Sequence, residues 1–218
     1  MAFTPNAFPT FPRQPRMWPC AIGNGDASAW KQVVVAGPNG SKVNSASVVN
    51  NDTATRVIQM ALGRAWPATC TSAAPGVFTA AGNNAAVGDQ VVLGGTAVPT
   101  GFTAGTTYFV AAASFAAGST FTLAATAGGT AITATSTGTA VTATLIRPIG
   151  TLSAPTLTGN DGATTGLNFF GNALVPLPVD QDGQSYLFLE SGDTLYVSSS
   201  TTVTANKLVT VQAMAADF

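Results

Sequence analysis

Between Ala65 and Thr144 the chain carries a single charged residue, Asp89. A span of about 80 residues with so little charge is unlike a disordered segment, which is usually hydrophobe-poor and highly charged. Its residues are mostly Ala, Val, Thr, Ser and Gly. Small and β-branched side chains between glycine joints suit short strands and tight turns better than long helices. The remaining charges all lie in the two flanks. Over the whole chain 46% of residues are hydrophobic and 8% charged, against about 25% charged in a typical globular domain. The breaks in composition mark residues 65–145 as a separate module, and the similar texture of the flanks makes it an insertion. Residues 31–64 and 146–218 then form one base domain, and 218 residues are enough for two such units.

The charged residues also limit function. There is no histidine, so a Ser-His-Asp triad, a Cys-His pair and His-ligated metal are excluded. A net charge of -1 and a pI near 5.0 provide no field for a polyanion, so nucleic acid is not expected as a partner. No apolar run is long enough to span a membrane, and the N-terminus lacks the apolar core of a signal peptide. We therefore expect synthesis in a reducing cytoplasm. Cys20 and Cys70 read as isolated thiols, with a disulfide between them left open.

Residues 1–30 read as an arm. Pro5, Pro9, Pro12, Pro15 and Pro19 recur every three or four residues, which prevents helix or central strand and favours an extended path. Phe3, Phe8, Phe11, Met17 and Trp18 stand between them. These are the candidate partner-binding anchors, expected to lie on a neighbouring subunit.

Strands are expected at 31–36 (KQVVVA), 43–49 and 55–62, with a turn at Pro38-Asn39-Gly40. In the middle module the candidates are 76–80, 89–93, 106–112, 120–124, 131–135 and 139–146. In the last of these Val141, Ala143 and Leu145 alternate with threonines, so one face is buried. This density of short strands is that of a small β-sandwich. Residues 167–174 (LNFFGNAL) read as a short helix. Residues 186–190, 194–198 and 207–213 close the base, with Val209, Val211 and Ala213 facing its core.

Few constellations offer chemistry. Asp180-Gln181-Asp182-Gly183, with Glu190 and Asp193, is the one acidic cluster. Its spacing departs from the EF-hand pattern, and a solvated turn followed by a hairpin at 191–193 explains it. No metal, cofactor or catalytic residue is assigned. Trp18, Trp30, Trp66, Tyr108, Tyr186 and Tyr196 are scattered, and they read as core or interface rather than as one carbohydrate platform.

Residues 76–95 (GVFTAAGNNAAVGDQVVLGG) and 101–133 show F-T-A, V-G-D-x-V, G-T-T-Y-F-V and F-x-L-A in that order. This stretch resembles an Ig-like module found inserted in many tailed-phage virion proteins. Residues 180–218 resemble the C-terminus of small β-sandwich phage virion proteins that lack the middle module. The resemblance implies an all-β chain: a β-sandwich built from both flanks, an inserted Ig-like β-sandwich and an extended Pro-rich N-terminal arm. It implies a non-enzymatic capsid decoration or cement protein on the virion surface. The partners are then the major capsid protein and further copies of the chain, a homotrimer being favoured. The outward module would offer a contact for host surface glycan. Two other readings stand beside it. One is a tail or neck adaptor or fibre component contacting host glycans. The other is a polysaccharide hydrolase using Asp180 and Asp182, disfavoured by the missing histidine and sparse carboxylates.

Overall fold

The computed structural model describes residues 15–156, 167–171, 177–179 and 183–218. Among these residues there are fourteen strands: β1 (Arg16–Gly23), β2 (Lys31–Val35), β3 (Ser41–Asn50), β4 (Arg56–Pro67), β5 (Thr69–Cys70), β6 (Val77–Thr79), β7 (Gln90–Gly94), β8 (Thr107–Ala116), β9 (Thr120–Ala124), β10 (Thr142–Ala154), β11 (Leu167–Asn168), β12 (Leu187–Leu189), β13 (Asp193–Ser199) and β14 (Leu208–Asp217). Two short 3₁₀ turns, Asn24–Asp26 and Phe169–Gly171, are the only helical elements among the described residues. The chain is all-β, as the composition predicts.

The strands form two antiparallel sheets. The smaller runs β1-β14-β3-β11, with β12 also on β3; the larger runs β2-β13-β4-β10-β7-β8-β9-β6-β5. The smaller sheet packs its inner face on β2, β13 and the neighbouring halves of β4 and β10, in the manner of a sandwich. The core between them contains Ile22, Val34, Val48, Ile58, Met60, Leu195, Val209 and Val211. In β14 the expected inward residues Val209, Val211 and Ala213 are all fully buried.

A second core lies beyond the far ends of β4 and β10, within β5 to β9. Phe78 sits at its centre, stacked on Phe121 at 5.7 Å and edge-on to Phe102 at 5.2 Å. Phe78 and Phe121 are essentially inaccessible to solvent, each contributing roughly 1.5–3 kcal/mol by burial. All buried residues of this core fall within 68–145, and Val141, Ala143 and Leu145 contribute with the predicted alternation. The β4–β10 pairing extends one residue past the end of β4, where the Ala68 N–H donates to the Val141 carbonyl at 2.9 Å.

Several expectations take a different form. The strand expected at 55–62 runs on to Pro67, and the one expected to end at Ile146 continues to Ala154. The two cores are therefore joined by a continuous pair of strands, β4 and β10. The strand expected at 131–135 is only a bridge from Ala131 to Ala124. Its amides divide their bonds among Leu123, Ala73 and Thr100 instead of forming one ladder. The helix expected at 167–174 is, where described, a two-residue strand on β3 followed by the 3₁₀ turn, with Phe169 and Phe170 buried. Within residues 1–30, Arg16–Gly23 is extended, but it is paired along its whole length with β14 of its own chain. Pro19 is accommodated because β1 is an edge strand.

Candidate interaction face and groove

Strand periodicity divides β1, β14 and β3 into two faces. Trp18, Ala213 and Ala46 form an inward cross-strand row, and Cys20, Val211 and Val48 form the next. The outward rows are Met17–Met214–Ser45, Pro19–Gln212–Ser47 and Ala21–Thr210–Val49. None of these nine residues is charged. Met17 is 59% exposed and Met214 41%, side by side, and Leu208 lies further along β14 at 48%. Phe188, in contact with Phe218 at 5.6 Å, stands at the other end of the face, where Lys42 lies over the Tyr186 ring.

This arrangement separates the predicted anchors. Met17 points outward on the open face. Trp18 packs against its own core. Phe3, Phe8 and Phe11 lie outside the described residues. Asp180 and Asp182 also lie outside them.

The second feature is a groove of about 410 Å³ on the core side of the large sheet, where the two cores meet. Leu62, Leu145, Ile149 and Trp66 supply its apolar lining, while Arg64, Arg147, Asn84, Glu190 and Asp193 supply its polar lining. Register places them together. Leu145 is opposite Arg64, and Arg147 is opposite Leu62, on the adjacent strands β4 and β10. Arg64 donates from Nε to Asp193 and from Nη2 to Glu190, both at 2.7 Å. Glu190 and then Asp193 raise the already high pKa of this guanidinium. Arg147 donates from Nη2 to Asp89 at 2.7 Å and to the Asn84 carbonyl at 2.6 Å. Partly exposed pairs of this kind contribute roughly 0–1 kcal/mol each, so their effect is orientation more than stability. Behind the groove, on the other face of the sheet, Ala61, Ile146 and Tyr196 close a small cluster with Trp30. The Trp30 indole N–H donates to Gln90 at 2.8 Å.

Glu190 and Asp193 thus belong to a hairpin clamped by Arg64. The six aromatics do not share a face. Tyr108 and Tyr196 are buried, Trp18 and Trp66 pack on different cores, and Trp30 lies behind the groove. Cys20 and Cys70 are free thiols in separate cores. The groove arginines were not singled out by sequence reasoning. Their signal is position: they are the basic residues bordering the charge-poor span, and Asp89 within it pairs with one of them.

No family model, curated protein or solved structure matches this chain.

Proposed function

We propose that the chain is a non-enzymatic structural protein of a tailed-phage virion, a decoration or cement protein that seats the outer face of its smaller sheet on the major capsid protein. The observation that carries this reading is the outer face of β1, β14 and β3, whose three central cross-strand rows hold no charged residue and whose edge sets Met17 beside Met214, directly following the Pro- and Phe-rich residues 1–15. Surfaces of this kind bind by shape complementarity around buried apolar anchors. A proline-stiffened arm loses less entropy on docking than a flexible one. In this reading Phe3, Phe8 and Phe11 reach a neighbouring subunit, the copies form a trimer, and the second core is an Ig-like module directed outward.

The test is co-sedimentation with particles lacking the protein. Met17→Lys with Met214→Lys should abolish binding, whereas Val87→Lys, an exposed site between β6 and β7, should leave it intact. Removal of residues 1–14 should lower occupancy. Full binding by the double lysine variant overturns the assignment of this face. Copy number separates the capsid reading from the tail or neck alternative: hundreds per particle fit a lattice site, and a dozen or fewer a vertex, neck or tail.

A further inference from the structure

We infer that the groove between the two cores is a binding site for a neutral saccharide. Its walls combine two chemistries a sugar ring requires. Trp66, Leu62, Leu145 and Ile149 offer apolar surface to the C–H face of a pyranose, and an indole is a large, flat partner for such a face. Around it stand planar groups whose oxygen and nitrogen atoms are fixed by one another: Arg64 by Glu190 and Asp193, Arg147 by Asp89 and the Asn84 carbonyl. Carboxylates accept and guanidinium groups donate in pairs, which matches two adjacent hydroxyls. Because these side chains already hold each other, ligand binding does not have to order them from free rotamers.

Charge selects the class. The two arginines face three carboxylates, Asp89, Glu190 and Asp193, so the site has no positive excess for an anionic sugar. A neutral ligand can use the same donors and acceptors without breaking an ion pair. The volume of about 410 Å³ falls within the usual range of roughly 300–1,000 Å³ for small-molecule sites. The inference does not depend on where the chain sits in a particle.

The experiment is isothermal titration of the full chain with lactose, maltotriose, cellotriose and chitotriose, with sialyllactose as the anionic comparator. Each is taken to about 20 mM, a range that covers millimolar Kd values. At least one neutral sugar should bind, and sialyllactose should bind no more tightly than lactose. Trp66→Ala should weaken the bound sugar at least tenfold. Because Trp66 packs on the second core, Glu190→Gln supplies a second test. That side chain is 70% exposed, so the fold is kept while an acceptor is lost, and the expected weakening is at least threefold. Three outcomes overturn the proposal: no heat with any neutral sugar, tighter binding of sialyllactose, or neutral-sugar binding that both variants leave unchanged.

Discussion

Gly63 shows how a single hydrogen atom sets the joint between the two cores. A Cβ at this position would clash with the Cε2 and Cδ2 atoms of the Tyr196 ring and stand 3.0 Å from Ile146 Cδ1. That ring is buried against β4 and accepts a hydrogen bond at its hydroxyl from Gln32 at 3.1 Å, so it cannot swing aside. Gly63→Ala should lower stability by about 1–3 kcal/mol, the usual cost of overpacking, whereas Gly25→Ala, with open space around it, should stay within about 1 kcal/mol of the parent. Thermal melts of the two variants check this. Asp52 organises the turn between β3 and β4. Burial disfavours its charge, but Arg56 Nε at 2.6 Å, the Thr204 N–H at 2.9 Å and the Thr53 N–H at 2.6 Å outweigh that, holding its carboxyl well below the usual carboxylate range. A lowered folded pKa means stability that is complete above the unfolded value of about 3.9 and is lost as pH falls through the folded value. Asp52→Asn should therefore have a lower urea midpoint than the parent at pH 7, and the gap should narrow on acidification from about pH 5 towards pH 2. The two thiols follow the same local logic in the opposite direction. Burial alone pushes Cys70 up to about 11; at Cys20 burial, with the Asp26 charge, raises the pKa against the opposing charge of Lys31. Both should react slowly with Ellman's reagent in the folded protein and promptly in urea; fast reaction of either without denaturant would contradict the packing described.

At the scale of elements, legibility followed the backbone pattern. KQVVVA was readable from its β-branched run, although Val33 and Val34 are both buried; the threonine-alternating run before Leu145 and the Val209–Val211–Ala213 run were readable because period-two burial leaves its mark on composition. The joints were harder. Pro19 suggested a chain segment outside any sheet, yet an edge strand tolerates a residue without an N–H, and Trp18, Cys20 and Ile22 supply enough inward apolar surface to hold β1 on β14. The groove was invisible because it depends on register. No local signal pairs Leu145 with Arg64 across 81 positions of chain. The two faces of β1 yield a direct test. Ile22, fully buried, should cost about 2–5 kcal/mol on replacement by Ala. Met17→Ala on the outward row should cost no more than about 0.5 kcal/mol. Equal costs, read from urea midpoints, would mean that the outer face is already covered in the isolated protein.

The whole molecule poses the question of whether two cores joined by two strands fold as one unit. No buried residue of the first core lies between Pro67 and Thr142, and no buried residue of the second lies outside 68–145. Trp66 and Ala143 are cross-strand partners at that boundary, a separation that a two-residue Asn-Gly turn closes in an antiparallel hairpin. A chain in which Asn-Gly replaces residues 67–142 should keep the first core and both faces of the smaller sheet. It loses the Trp30–Gln90 bond and exposes Trp66 and Leu145, so its midpoint should fall. Its unfolding should remain a single cooperative step, with an m-value lower by about a third, in line with the surface removed. If particle binding resides in the outer face of β1, β14 and β3, the shortened chain should also retain it, while saccharide binding, which needs Asn84 and the Asp89–Arg147 pair, should disappear. A shortened chain that is unfolded would instead show that the continuous strands β4 and β10 make both cores one cooperative structure, stabilised together and lost together.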